Sequence, residues 1–325
     1  MLRTVLKRSG KVFTWFIGVV AVLALVGFVF QNGATKANAP DLPPGGRMVD
    51  VGDYRLFLQT SGTKRNGPTV VFDSGYGTAA STADWSRIVP DVAKVTQVVT
   101  YDRAGYGFSD DTGSARTSER LAEDLHTLLR KADVPGPYLL VGHSLGGFTV
   151  RTFAQQYPDE VAGAVLIDAA QEDGPREEMP LGALLVGRKV GLVRALGAVG
   201  LYPPVGNAEK FLEPADAGLI AELTYARMSD AAQRSEFEEA FTDANRDQLR
   251  ATRTAGFGDK PLVVVTSSRN VQANPQWGPL QEAQLKLSSR ARQVVVDSGH
   301  YVHWEQPQSV IDAIAEVAGQ APTLP

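Results

Sequence analysis

The chain has 325 residues and contains no cysteine, which excludes disulfides, thiolate metal sites and a cysteine nucleophile. Hydrophobic residues make up 43% and charged residues 21% of the chain, as in a globular protein with a substantial core. The first eleven residues carry four basic side chains and no acidic one, so the remainder has a charge of −8 within a formal net charge of −4. Such an acidic body argues against nucleic acid as a partner.

An uncharged run of nineteen residues, Val12 to Phe30, follows this basic tip. As a helix it would be about 28 Å long, close to the ~30 Å hydrocarbon core of a bilayer. The run therefore predicts an N-terminal transmembrane helix that is not cleaved, with residues 1–46 forming tip, anchor and tether. Because Lys and Arg stay on the cytoplasmic side, the body is expected outside the cytoplasm, with the membrane as a partner. A cleaved signal peptide, with secretion of the body, is the second interpretation.

The body alternates between predicted strands and helices. Strands are predicted in a β-hairpin over Met48 to Gly62 and in the runs "PTVVFD", "TQVVTYD", "YLLVGH", "VAGAVLID", "PLVVVTSS" and "RQVVVDSG". Helices are predicted around Trp85 to Ala93, after the N-cap residue Thr117, after the strand "YLLVGH", and over Val310 to Val317. Continuous apolar strands alternating with helices predict an α/β fold with a mostly parallel central sheet covered by helices on both faces.

The interval from residue 171 to residue 259 breaks this alternation. It lacks strand signals and contains amphipathic segments such as "LGALLVGRKVGLVRALGAVGL". Nearly ninety residues are too many for a simple connection. We therefore predict a helical cap over the functional site at 171–259, inserted in a core formed by residues 47–170 and 260–325.

The stretch "YLLVGHSLGGFTV" holds the strongest chemical signal, Ser144, between a predicted strand and a predicted helix. Gly142 and Gly146 flank the serine at the two positions where side chains would crowd a tight bend. A Gly-x-Ser-x-Gly pattern in this context favours a strained elbow that exposes the serine hydroxyl as a nucleophile.

A serine hydroxyl is a poor nucleophile without an adjacent base. His300, in "DSGHYVHWEQP" near the C-terminus, is the candidate base, because it follows a predicted strand and Gly299 lets the loop turn. We expect structural roles for His143 and His303, and a solvated position for His126. No two histidines have the spacing of a helical zinc site, so we predict neither a metal nor another cofactor.

The motifs "GHSLGG", "YDRAGYGFSD" and "SGHYVHWEQP" together resemble the α/β-hydrolase superfamily over residues 48 to 320. The resemblance implies a triad in the chain order serine, acid, histidine. The backbone N–H of Leu145, at the start of the helix after the nucleophile, is expected to form one half of an oxyanion hole. By resemblance, Tyr76 N–H in the loop after "TVVF" forms the other half. The family usually has His-Gly in that loop, whereas this chain has Asp73 in place of the histidine.

The acid of the triad departs from the commonest pattern of this family. The acid usually follows the next-to-last strand, but residues 260–281 contain no Asp or Glu. Other members carry the acid at the end of the strand after the nucleophile helix, where Asp168 stands. We therefore predict Asp168 as the acid, with Asp297 as the second candidate.

These residues predict a serine hydrolase that cleaves carboxylic esters or related acyl compounds through an acyl-enzyme on Ser144. The expected partner is a small-molecule acyl substrate. Two alternatives remain open on the same fold. One is an aminopeptidase-type hydrolase, and the other is a non-catalytic receptor that keeps the triad and uses the pocket to bind a ligand.

Overall fold

The computed structural model describes residues 41–65, 67–174 and 205–319, together with Trp15, Gly18 and Val22. Most of the N-terminal apolar run lies outside the described residues, and so does the segment 175–204 of the predicted cap.

The described residues form one eight-stranded sheet with the strand order β1-β2-β4-β3-β5-β6-β7-β8. The strands are β1 (Gly46–Asp50), β2 (Arg55–Ser61), β3 (Thr69–Asp73), β4 (Val98–Tyr101), β5 (Tyr138–His143), β6 (Val161–Ile167), β7 (Gly258–Ser267) and β8 (Ser288–Val296). The predicted hairpin is present, because β1 and β2 pair antiparallel, with Gly46 opposite Gln59 and Asp50 opposite Arg55. β2 also pairs antiparallel with β4, and every pairing from β4 to β8 is parallel. The prediction of a mostly parallel central sheet is confirmed.

The helices of the core lie on either side of this sheet, and three more follow the undescribed segment. They are α1 (Ser81–Asp84), α2 (Val89–Val92), α3 (Ser118–Lys131), α4 (Gly146–Gln156), α5 (Pro214–Ala226), α6 (Asp230–Ala240), α7 (Asp243–Ala255), α8 (Ser268–Ala273), α9 (Trp277–Ala283), α10 (Val302–Glu305) and α11 (Pro307–Val317). As expected, Thr117 caps α3, because its side chain accepts a hydrogen bond from Arg120 N–H.

Successive residues of a strand point to opposite faces of a sheet, so a strand of apolar residues contributes side chains to the hydrophobic core on each face. On β3, Val71 packs with the buried face of α3 and α4, whereas Val70 and Phe72 pack with α2 and α11. On β5, Leu140 belongs to the first core and Val141 to the second. The continuous apolar runs of the sequence are thus explained by a sheet covered on both faces.

The described part of the predicted cap is helical. A 3₁₀ turn at Val205–Lys210 and the helices α5, α6 and α7 occupy residues 205–255. The domain boundaries around this segment stay a prediction.

The predicted membrane-anchored localisation is contradicted. A single-helix anchor needs about 20 consecutive apolar residues in one helix. Across the part of the chain that the structure describes, no helix reaches the length and apolar character that a bilayer crossing demands. Of Val12 to Phe30, only Trp15, Gly18 and Val22 are described.

Candidate active site

Ser144 lies at a sharp turn between β5, which ends at His143, and α4, which begins at Gly146. Its φ of +51° falls in the left-handed region, which is strained for a residue with a side chain. A Cβ on Gly142 would lie 2.9 Å from Gly146 O, and one on Gly146 would lie 2.5 Å from Asp73 O. The two glycines are therefore required by close backbone contacts, which is the local geometry that the elbow pattern predicts.

Ser144 lies next to His300, which enters from the loop after β8. His300 Nε2 is 2.9 Å from Ser144 Oγ, and His300 Nδ1 is 2.7 Å from Asp168 Oδ2. With the imidazole neutral, an Nδ1–H that donates to Asp168 leaves the Nε2 lone pair free to accept the serine proton. The structure thus brings together the three residues that were predicted from the sequence as nucleophile, base and acid.

Asp168 follows β6 directly, has a φ of +42°, and is fully buried. Besides His300, three groups donate to its carboxylate: Ser267 N–H at 3.0 Å, Trp277 Nε1 at 2.7 Å and Asn270 Nδ2 at 2.6 Å. Four donors on one buried carboxylate suit a charged, fixed acceptor for the imidazole.

Two of these donors were missed by the sequence reasoning. Asn270 and Trp277 lie on α8 and α9, which follow β7 and were not predicted as helices. Both residues lie in the stretch 260–281, which contains no Asp or Glu. This stretch therefore supplies hydrogen-bond donors to Asp168 rather than an acid of its own. The second candidate acid, Asp297, is not part of this arrangement. Its side chain is 93% exposed and lies 3.9 Å from Arg269.

The loop after β3 lies against the nucleophile. A Cβ on Gly75 would be 3.2 Å from Ser144 Cβ, and Tyr76 is the next residue. Among the described residues, neither the Tyr76 N–H nor the Leu145 N–H donates to another protein group. Two backbone donors near the serine are therefore available for a ligand oxygen.

Asp73, which replaces the expected histidine in this loop, is buried. It accepts hydrogen bonds from Tyr101 OH at 2.9 Å and from Arg103 Nη1 at 2.6 Å. The Asp73 carboxylate is thus paired with Tyr101 and Arg103 inside the protein and does not face a substrate.

The remaining histidines lie outside the triad. His143 is buried with Nε2 3.0 Å from His300 O, and burial lowers its pKa well below the usual range, so the ring is neutral. His303 Nε2 lies 3.0 Å from Asp84 Oδ1. His126 was expected in solvent, but its side chain is only 22% exposed, and its ring stacks on Tyr157 with centroids 3.7 Å apart.

A family profile described as the alpha/beta hydrolase fold matches residues 68–307. The protein YqjL of Bacillus subtilis (strain 168) is 27% identical over 256 residues, which cover 78% of this chain and 84% of that protein. The 2-(acetamidomethylene)succinate hydrolase of Mesorhizobium japonicum is 28% identical over 289 residues, covering 82% of this chain and 93% of that enzyme. The crystal structure of the enol-lactonase from Burkholderia xenovorans LB400 superposes with a TM-score of 0.66 at 21% identity, covering 84% of this chain and all of that one.

Proposed function

This chain belongs to the α/β-hydrolase fold family, and from that premise we propose that it is a serine hydrolase that cleaves carboxylic esters or related acyl compounds through an acyl-enzyme on Ser144. Membership confirms the expectation of a hydrolase of this family. The observation that carries the finer proposal is the position of His300, whose ring nitrogens lie 2.9 Å from Ser144 Oγ and 2.7 Å from Asp168 Oδ2.

In the first half of the reaction, Ser144 Oγ attacks the carbonyl carbon of the substrate while its proton passes to His300 Nε2. The carbonyl oxygen becomes an oxyanion that the N–H groups of Leu145 and Tyr76 can bind. Asp168 accepts the Nδ1–H and stabilises the imidazolium. Collapse of the tetrahedral intermediate breaks the bond to the leaving alcohol, which takes the proton from His300 Nε2.

In the second half, a water molecule replaces the alcohol. His300 Nε2 accepts a proton from this water, whose oxygen attacks the acyl carbon, and a second oxyanion forms between the same two donors. The bond to Ser144 Oγ breaks, the proton returns to the serine, and the carboxylic acid leaves. The side chain of His300 is 33% exposed, so the water of the second half can reach it.

An apolar cluster beside the elbow supports an apolar acyl group as the part of the substrate bound next to Ser144. It joins Leu145 and Phe148 of the core to Phe237 and Phe241 of the predicted cap, with Tyr76 packed against it. The rings of Tyr76 and Phe237 lie 5.4 Å apart, and those of Phe148 and Phe241 lie 6.3 Å apart. These contacts support the proposal that the described part of the predicted cap covers the site.

Two of the similar proteins are consistent with acyl chemistry. The enol-lactonase is named for a lactone, which is a cyclic ester, and the relative from Mesorhizobium japonicum is named as the hydrolase of an acetamide-bearing acid. Both names support small acyl compounds as the substrate class.

The decisive experiment combines covalent labelling with turnover. The purified protein should react stoichiometrically with a fluorophosphonate at Ser144 and hydrolyse p-nitrophenyl esters of graded chain length, and Ser144→Ala should abolish both. Phe237→Ala should alter the ratio of long-chain to acetate ester rates if the cap contacts the acyl group. Labelling without turnover of any ester or aminoacyl amide would favour the receptor alternative and overturn the proposal.

A further inference from the structure

A buried arginine holds the loop that supplies the second oxyanion donor. Arg103 follows β4, is 5% exposed, and directs all five of its guanidinium N–H groups at acceptors. Two of these acceptors are the consecutive backbone carbonyls of Ser74, 2.7 Å from Nη1, and Gly75, 2.8 Å from Nη2. The other three are carboxylate oxygens, one of Asp73 and two of Glu236.

The carbonyl of Gly75 and the N–H of Tyr76 belong to the same peptide group. A trans peptide is planar, so its C=O and N–H point in opposite directions. A guanidinium that holds the Gly75 carbonyl on one side therefore fixes the Tyr76 N–H on the other side. The positive charge also polarises this peptide, which strengthens its N–H as a donor.

Glu236 links this arrangement to the predicted cap. It lies on α6, is fully buried, and receives Arg103 Nη2 at 2.7 Å and Arg116 Nη2 at 3.1 Å. Burial lowers the pKa of Arg103, but the carboxylates of Glu236 and Asp73 outweigh it, so the pKa is raised overall and the guanidinium stays charged. Two buried cations thus face two buried anions, and removing one member would leave its partner without a counter-charge.

We propose that Arg103 is a positioning residue that aims the Tyr76 N–H at the oxyanion, and that Glu236 couples this donor to the seating of α6. The inference rests on the proposed serine hydrolase function. It predicts that changes at Arg103 act on the transition state rather than on substrate affinity, because the Tyr76 N–H binds an oxyanion that forms only as the reaction proceeds.

A second buried pair supplies the matched control. Arg151 on α4 is 2% exposed and binds Glu172 through Nη1 at 2.5 Å and Nη2 at 2.9 Å. Its Nη2 also donates to Leu249 O on α7 at 2.9 Å. The Arg151 pair therefore also reaches the cap, but it has no contact with the loop carbonyls.

The experiment compares Arg103→Lys and Glu236→Gln with Arg151→Lys and Glu172→Gln in the full chain, at a temperature where melting curves show each variant folded. Removal of one oxyanion donor costs about 10²–10³ in kcat, which sets the upper limit. We expect Arg103→Lys to lower kcat by about 30-fold and Glu236→Gln by about fivefold, with KM changed less than about threefold. The affinity for a trifluoromethyl ketone, which forms an oxyanion on Ser144, should fall in parallel. Both control variants should keep kcat within about threefold of wild type.

The outcomes separate the two proposals. A wild-type protein that neither reacts with a fluorophosphonate nor hydrolyses an ester overturns the proposed function and this inference with it. If the wild type is active, two results overturn only the inference. In the first, Arg103→Lys lowers kcat no more than Arg151→Lys does. In the second, Arg103→Lys raises KM and leaves kcat unchanged. If Arg103→Lys does not fold, the same comparison of kcat and KM is made between Glu236→Gln and its control Glu172→Gln.

Discussion

Asp168 and His300 are 132 positions apart in the chain, yet Asp168 Oδ2 lies 2.7 Å from His300 Nδ1. Asp297, only three positions before His300, has a side chain that is 93% exposed and contacts Arg269 at 3.9 Å. Proximity in sequence is therefore no guide to the partner of this histidine. The triad needs a carboxylate at the ring nitrogen that does not face the serine. Asp168 lies at that nitrogen, Nδ1, whereas Nε2 faces Ser144.

The first prediction concerns the identity of the acid. Asp168→Asn should lower kcat strongly, because the amide cannot stabilise imidazolium and can force the wrong tautomer on His300. The comparable change in a serine protease costs about 10⁴, which sets the upper scale. Asp297→Asn should change kcat less than about tenfold, since its carboxylate only faces Arg269. Steady-state hydrolysis of p-nitrophenyl esters measures both, and near-normal turnover in Asp168→Asn with collapse in Asp297→Asn would reverse the assignment.

The second prediction uses Asn270 as a replacement acid. Asn270 Nδ2 lies 2.6 Å from Asp168 Oδ2 and 3.3 Å from His300 Nδ1. In the double variant Asp168→Asn/Asn270→Asp, the carboxylate moves to α8, which follows the neighbouring strand β7, and stays within reach of the same ring nitrogen. We expect kcat to recover by at least about tenfold over Asp168→Asn, because the charge beside the imidazolium is restored.

Two controls define that rescue. Asn270→Asp alone places two carboxylates beside each other and should be less active than wild type. Asp168→Asn/Asn270→Ala restores no charge and should remain as slow as Asp168→Asn. If Asp168→Asn/Asn270→Asp is no faster than Asp168→Asn/Asn270→Ala, a carboxylate at position 270 does not stabilise the His300 imidazolium, and the prediction is wrong.

The third prediction concerns the elbow. A Cβ on Gly146 would lie 2.5 Å from Asp73 O and 2.8 Å from Ser74 O, and backbone atoms cannot rotate away as a side chain would. Gly146→Ala should therefore lower the free energy of unfolding by about 1–3 kcal/mol and displace the loop that carries Tyr76. Denaturant unfolding measures the first effect, and a drop in kcat in the folded variant measures the second. Gly218→Ala, on the exposed face of α5 with no atom within 4 Å of the new methyl, should not destabilise the protein.

The sequence was informative where chemistry follows from local pattern. The strand-to-helix context and flanking glycines predicted the turn at Ser144, and the absence of acids at 260–281 pointed to Asp168. Alternation along the strands does not show in apolar runs such as "TVVF", yet continuous apolar strands that alternate with helices were enough to predict a mostly parallel sheet. The turn and the strands depend on residues close together in the chain, whereas Asp168 was predicted from the resemblance to the α/β-hydrolase superfamily.

Features that depend on tertiary contacts were not predictable. Arg103 and Glu236 are 133 positions apart, and no local pattern pairs an arginine after β4 with a glutamate on α6. His126 was expected in solvent because its own helix places it off the leucine stripe, but Tyr157 at the end of α4 covers it. Asn270 and Trp277 donate to Asp168 only because β7 lies beside β6 in the sheet.

The last prediction concerns the pH dependence of stability and the buried carboxylate of Asp102. Asp102 is 2% exposed, and burial raises its pKa from 3.8 to about 6, even though Ser81 N–H and Phe108 N–H donate to it at 2.9 and 3.0 Å. The folded state therefore binds this proton more tightly than the unfolded state. The stability that Asp102 contributes is fully present below pH 3.8 and is lost as the pH rises through about 6.

Comparison of wild type with Asp102→Asn isolates this contribution, because the amide does not titrate and its altered hydrogen bonds add only a constant difference. Between about pH 4.5 and pH 7.5, the free energy of unfolding of wild type relative to Asp102→Asn should fall by about 2 kcal/mol. Urea titrations at a series of pH values measure that difference. Asp110→Asn is the opposite control, since the hydrogen bond that Asp110 accepts from the Arg55 side chain lowers the pKa of this carboxyl, and wild type should lose stability relative to that variant only as the pH falls. A difference between wild type and Asp102→Asn that stays flat, or that grows with rising pH, would mean that the carboxylate is charged at no cost to the fold.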